Sequence, residues 1–461
     1  MDFTTALIII AVIYGTCAHY PYVKFLEGTG FKISILSLKW ETKAFNRTLI
    51  KWGNTRPRFL DSWFTVGLYA SLILLPVATC LNIFLDYEEG TIVIEPIIPG
   101  INLPATELGY YSLALIFCSV VHELGHALAA VLEDVNIIDV GANIFFILPV
   151  AYVNISTEKF SSLGHKKILK ILCAGIWHNL VLAFVGLLIF SSLPFIFSPF
   201  YETDKGVTVN NMASHSPLLG PRGLKVGDII TKINECHCFR QLHNVKPAFC
   251  IDSDMVHDLD ESIPLRHLEN GIIECCDPKK SRNFCFEYLD TADGILLELP
   301  SHVCLPGRAV VEKSTNFCTY KHDSCSDNQY CFRPLLENTT SLFKIACNGK
   351  NVIYVGTSWD IYRTVDVSYY VSNGIFSTTK LPDIVTKIVS YITAFSFGLA
   401  IVNVVPVMYM DGQHIADILG DSLLRRSLGK TGAKLTTVII SWIFTFLILV
   451  HCVFVVSKII L

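Results

Sequence analysis

The sequence predicts a polytopic α-helical membrane protein of about six spans, with a membrane-associated β region and a separate disulfide-rich aqueous α+β domain. Three observations carry this. Hydrophobic residues make up 52% of the 461 and charged residues only 16%, against about a quarter in soluble domains. Mean hydropathy is +0.48. The apolar residues gather into runs long enough to cross a bilayer, and eleven of the sixteen cysteines fall in the one long stretch without such runs. A net charge of -4 gives no basis for nucleic-acid binding.

Composition divides the chain into residues 1–61, a first span and basic loop; 62–199, a membrane core; 200–382, an aqueous domain; and 383–461, the rest of the membrane core. The run Thr4 to Tyr20 also resembles the core of a signal peptide. It lacks a basic lead-in and a convincing small-residue cleavage site, so it reads as a retained span. The segment Pro21 to Asp61 carries Lys24, Lys32, Lys39, Lys43, Arg47, Lys51, Arg56 and Arg58 against only Glu27, Glu41 and Asp61. That bias puts this loop on the cytosolic side, where the sequon at Asn46 stays unused. A second span, Trp63 to Phe84, leads into Asp86, Glu88, Glu89 and Glu95 with no basic residue among them. This loop is therefore on the lumenal or external side.

The third span descends from Leu108 to Leu132 and contains His122-Glu123-Leu124-Gly125-His126. On a helix the two histidines, i and i+4, share a face and can hold a tetrahedral Zn²⁺, with Glu123 placed as general base. They stand about 21 and 27 Å along the span, within the membrane and nearer its cytosolic face. Ionisable groups at such depth are costly and point to function; the bland alternative is a polar face lining a helix bundle.

Val135 to Ile155 is apolar, yet Gly141, Asn143, Pro149 and the run Ile144-Phe145-Phe146-Ile147-Leu148 suggest strands or a re-entrant turn. An extended edge there, around Phe145 and Phe146, could hold a substrate backbone; a surface hairpin with no such role fits equally. A fourth apolar segment starts after Lys166, Lys167 and Lys170 and runs to about Phe197. Asn179, near its start, could hydrogen-bond the site or a substrate. Its neighbour His178 is either a ligand or, more commonly for a lone helix histidine, hydrogen-bonded.

From Phe200 to Pro382 the cysteines are Cys236, Cys238, Cys250, Cys275, Cys276, Cys285, Cys304, Cys318, Cys325, Cys331 and Cys347. Their density on the non-cytosolic side reads as disulfides, and no paired C-x-x-C spacing supports zinc knuckles. The odd count leaves at least one thiol over. Asn338-Thr339-Thr340 is a usable glycosylation sequon. Ser216-Pro217-Leu218 and the turn from Gly223 to Asp228 resemble a PDZ module.

The fifth span, from Ile384, ends in Asn403-Val404-Val405-Pro406 and then Asp411-Gly412. Running from lumen to cytosol, it brings Asp411 towards the face that carries His122 and His126. Two histidines and a carboxylate leave a fourth zinc position for water, as hydrolysis requires. Alternatively Asp411 only caps the next helix. Arg425, Arg426, Lys430 and Lys434 mark a cytosolic loop before a sixth span from about Leu435.

These motifs in this order, with Gly141…Phe145-Phe146…Pro149 and Gly175-x-x-x-Asn179 between them, resemble the eukaryotic site-2 proteases, intramembrane zinc metalloproteases of peptidase family M50. The resemblance implies one Zn²⁺ per chain on His122, His126 and Asp411, with Glu123 as catalytic base. It implies Asn179 and Asn403, with Pro406, beside the substrate or oxyanion. It further implies Golgi or endoplasmic-reticulum residence. The implied partners are the bilayer and single-span membrane substrates already clipped on the lumenal side. Sterol regulatory element-binding proteins and ATF6-type stress sensors are the expected substrates. The rivals are a catalytically inactive membrane chaperone or scaffold, and a zinc-handling transporter. Glu123, which zinc binding does not need, speaks against the first. The clustering of ionisable residues near one face speaks against the second.

Overall fold

The computed structural model describes residues 12, 15, 30–34, 37–84, 107–145, 148–234, 248–267, 273–279, 282–289, 299–314, 317–318, 325–326, 328–336, 340–374 and 378–460. It divides into two compact units, Met1–Leu193 with Val385–Leu461, and Pro194–Ile384.

The first unit opens with strands β1 (Phe31–Ser34) and β2 (Ser37–Thr42), then helices α1 (Asn46–Thr55), α2 (Pro57–Phe84) and α3 (Leu108–Leu132). Strands β3 (Ile137–Phe145) and β4 (Leu148–Ile155) follow, then α4 (His165–Phe197), α5 (Lys380–Val404) and α6 (Asp411–Ile460). Among the described residues five helices, α2 to α6, are long and apolar enough to cross a membrane. The span expected at Thr4 to Tyr20 lies outside the described residues apart from Val12 and Gly15.

The loop expected around Arg425 to Lys434 is not a loop. Helix runs from Asp411 to Ile460 with one break, at Gly429, whose φ of 71° only glycine adopts at little cost. The basic residues sit on helix at either side of that kink. Charge alone marks which side of a membrane a segment faces and says nothing of its backbone.

The β region is a four-stranded antiparallel sheet in the order β1-β2-β3-β4. β3 pairs with β2 on one side and β4 on the other. Asn46 ties α1 to this sheet, its Nδ2 donating to the carbonyls of Ile137 and Ile138.

The helices pack through an apolar core that includes Leu68, Leu172, Ile176, Ile401, Val404 and Ile415, drawn from α2, α4, α5 and α6. A second cluster joins Phe64 of α2, Ala129 and Ala130 of α3, and Ile171 and Ala174 of α4. Lys170 is buried, and its Nζ meets Asp61 at 2.6 Å and Glu133 at 2.8 Å. A charge at that position persists only because both partners come with it, and the trio ties α2, the end of α3 and α4 together.

The second unit holds two five-stranded sheets. One has the spatial order Lys350–Gly356, Ser341–Cys347, Ile229–Ile233, Val207–Met212, Val365–Ser368. The turn at Gly223 to Asp228 feeds it: Leu224 is buried, and the Asp228 carboxylate accepts from the Lys225 amide at 2.8 Å. The other sheet carries the disulfides Cys250–Cys325, Cys275–Cys285, Cys276–Cys304 and Cys318–Cys331. Cys347 is the buried free thiol of this unit among the described residues. Cys236, Cys238 and Asn338 lie outside the described residues.

Candidate metal centre

His122 and His126 sit one turn apart on α3 because the helix period brings i and i+4 to one face. Their Nε2 atoms are 3.1 Å apart. Asp411 is the first residue of α6, and its Oδ2 stands 3.0 Å from His122 Nε2 and 3.1 Å from His126 Nε2. Three donor atoms thus form a nearly equilateral triangle. Tetrahedral ligands about 2.0–2.1 Å from a zinc ion lie roughly 3.3 Å from one another, so the triangle has close to the right size.

Two contacts on the far sides of the rings orient the imidazoles. His126 Nδ1 is 2.8 Å from the carbonyl of Ile171, which can only accept, so the proton is on Nδ1. Nε2 is thereby turned towards an oxygen of Asp411 at 3.1 Å. A proton on Nε2 makes this an imidazolium–carboxylate contact, and a metal ion held by both atoms would take that proton's place. The amide of Asn179, fully buried on α4, lies 3.2 Å from His122 Nδ1. Its Oδ1 has no hydrogen-bond partner. Turning that amide brings Oδ1 onto His122 Nδ1–H, which frees the second Nε2 lone pair for the same ion.

Glycine makes room for this at two places. A Cβ on Gly175 would lie 2.4 Å from His126 Nε2 and 2.7 Å from His122 Cε1. A Cβ on Gly412 would lie 2.0 Å from the carbonyl oxygen of Val405, so only glycine lets α6 start hard against the end of α5 with Asp411 at its tip. The donor set, the size of the triangle and the cradle over Gly175 all fit a resident metal ion.

Glu123 is near enough to group with the two histidines as a possible ligand set. Its Oε2, however, accepts from the backbone N–H of Val153 in β4 at 3.0 Å. Asp411 is the carboxylate in contact with both imidazoles, which leaves Glu123 beside the donors and bonded to β4.

The other expected residues fall in different places. Asn403 is buried near the end of α5, its Nδ2 donating to the carbonyl of Leu399 at 2.9 Å. Pro406 is in the link Val405 to Met410 between α5 and α6, and there the next amide, Val407, bonds back to Val405. His178 is not among the donors; its ring stacks on Phe64 at 5.6 Å and its Nδ1 lies 3.3 Å from the carbonyl of Val121. Phe145 ends β3, which is paired on both sides, so it offers no open edge. Among the described residues β4 is an outer strand of that sheet, as β1 is. Phe146 lies outside the described residues.

Sequence reasoning missed Ser119, whose Oγ accepts from the Ala151 N–H of β4 at 2.7 Å. Its place four residues before Glu123, on the same helix face, was the available signal.

A centre of this make-up on apolar helices is that of a membrane-embedded metallopeptidase. The chain belongs to peptidase family M50, whose family model, described as Peptidase family M50, matches residues 110–449. It is 24% identical over 437 residues to a protein of Arabidopsis thaliana named membrane-bound transcription factor site-2 protease homolog, covering 81% of this chain and 83% of that one. No solved structure matches.

Proposed function

We propose that the chain is an intramembrane zinc metalloprotease. It hydrolyses a peptide bond within the transmembrane segment of single-span, membrane-anchored transcription factors, after a first cut on their lumenal side, and releases the cytosolic fragment. The observation that carries this is the convergence of His122, His126 and Asp411 on one point with Glu123 beside it. The substrate class rests on the name of the Arabidopsis relative together with the apolar setting of the site.

In this reading His122, His126 and Asp411 hold Zn²⁺, which when bound acidifies water and polarises a carbonyl. Ile171 and Asn179 orient the two imidazoles. Glu123 takes the proton of the attacking water and passes it to the nitrogen of the leaving amine. The substrate helix must unwind first, because its carbonyls are engaged in their own i to i−4 bonds. Backbone pairing along β4, the outer strand beside α3, lowers that cost. Asn403 and Pro406 would stand near the substrate. The PDZ-like part of residues 200–382, on the lumenal side in Golgi or endoplasmic-reticulum membranes, would exclude substrates with bulky ectodomains.

The test is release of the cytosolic fragment from a lumenally clipped single-span substrate, in cells lacking the endogenous activity, by the parent and by Glu123→Gln. Release by the parent alone establishes the protease. Equal release by both assigns the cut to another enzyme. No release by a metal-loaded parent on clipped substrates favours the inactive chaperone.

A further inference from the structure

β4 is an outer strand, yet its outward amides are engaged. The Ala151 N–H donates to Ser119 Oγ at 2.7 Å and the Val153 N–H donates to Glu123 Oε2 at 3.0 Å. Both acceptors belong to α3, and they are i and i+4 on it. Four residues of helix rise about 6 Å, while alternate residues of a strand stand about 6.6 to 6.8 Å apart. The helix therefore presents two oxygens at nearly the spacing of the carbonyls of an incoming strand. They occupy the two N–H groups that such a strand would need.

One of those oxygens belongs to the proposed base. While Glu123 Oε2 holds the Val153 amide, one of its acceptor sites faces β4. Ser119 is buried, so its hydroxyl is an interior contact rather than a solvated surface group.

We propose that Ser119 and Glu123 latch the edge of β4, and that an extended substrate segment opens the latch by taking the Ala151 and Val153 amides, which releases Glu123 for proton transfer. Pairing with an unwound backbone and arming of the base are then one event. A substrate segment that stays helical has no free carbonyls to offer and leaves the latch closed. This rests on the reading of the chain as a protease that acts on unwound membrane segments.

The experiment uses the full chain in nanodiscs and the variants Ser119→Ala and Ser119→Thr. It follows amide hydrogen exchange at Ala151 and Val153 with and without a single-span substrate. Removing the hydroxyl should speed exchange at Ala151 by about tenfold, the loss of one hydrogen bond, while the β3 amides stay protected. Added substrate should restore the protection. KM for a substrate whose segment carries a helix-breaking residue should fall about threefold in Ser119→Ala, because one fewer bond must be displaced, with kcat near that of the parent. Ser119→Thr, which keeps the hydroxyl, should behave as the parent does.

The proposal is overturned if bound substrate leaves Ala151 exchanging fast, or if KM rises or stays put in Ser119→Ala. It is also overturned if exchange rises across β3 as well, which marks the serine as a packing contact only. Failure of the protease reading is separate. A parent that never cleaves sinks that reading, whereas re-protection of Ala151 by bound substrate would still show the edge being taken.

Discussion

The Nδ1 of His126 meets the carbonyl of Ile171 at 2.8 Å, and that bond fixes which nitrogen of the ring faces Asp411. A backbone carbonyl on α4 thus sets the tautomer of a histidine on α3. His122 has a side chain in the same position, the Asn179 amide, and a side chain can be replaced.

Asn179→Leu should therefore weaken metal binding by about 10- to 100-fold, the usual cost of losing an outer partner of a ligating histidine. Competition with a chromophoric chelator on the purified protein measures it. Unchanged affinity would remove Asn179 from the support of His122.

Gly175→Ala should abolish metal loading while the helices still form. The new methyl would press on both imidazoles, at 2.4 Å from one and 2.7 Å from the other, and neither ring has room to retreat within a packed bundle. Metal content by mass spectrometry, read beside far-ultraviolet circular dichroism, separates a lost site from a lost fold.

Glu123→Gln should keep the metal and lower kcat by about 10²- to 10⁴-fold, the range of a general base. His122→Ala or Asp411→Ala should instead lose the metal. Activity and metal stoichiometry on the same preparations distinguish the two patterns; metal loss in Glu123→Gln would make that residue a ligand.

The bridge Cys318–Cys331 spans a separation of 13 residues. Replacing both cysteines with serine should destabilise the second unit by about 3 kcal/mol, from the loop entropy returned to the unfolded chain. Denaturant melts followed by protection of the remaining cysteines from alkylation report it. Cys347, buried and unpaired, should become reactive only as the unit opens.

Several features were legible without coordinates. Apolar run length located α2, α3, α4 and α5, because a bilayer demands about 20 apolar residues whatever their order. The spacing of His122 and His126 put both on one face, because the helix period leaves no choice. Asp411-Gly412 after a proline-broken span read as a third donor or as a helix cap, and a helix does start at Asp411. The clustering of cysteines located a disulfide-bonded unit but not its pairing, since any pairing satisfies a count.

What the sequence alone could not decide were relations that depend on where backbones meet. The run Ile144 to Leu148 read equally as an open edge or a surface hairpin; Ile144 and Phe145 end β3, which has β2 on one side and β4 on the other, while Leu148 begins the outer strand β4. Strand order depends on long-range pairing, to which a local pattern is blind. The continuation of helix through Arg425 and Arg426 was hidden for a similar reason, since charge reports a compartment and not a conformation. Composition and spacing by themselves determined a membrane chain with two histidines on one helix face, and left Asp411 as either a third donor or a helix cap. Only the tertiary structure chose Ile171 and Asn179 as the groups behind the rings, and set Ser119 and Glu123 against β4. Those contacts join residues 30 to 57 positions apart, and packing, not sequence proximity, brings them within hydrogen-bond reach.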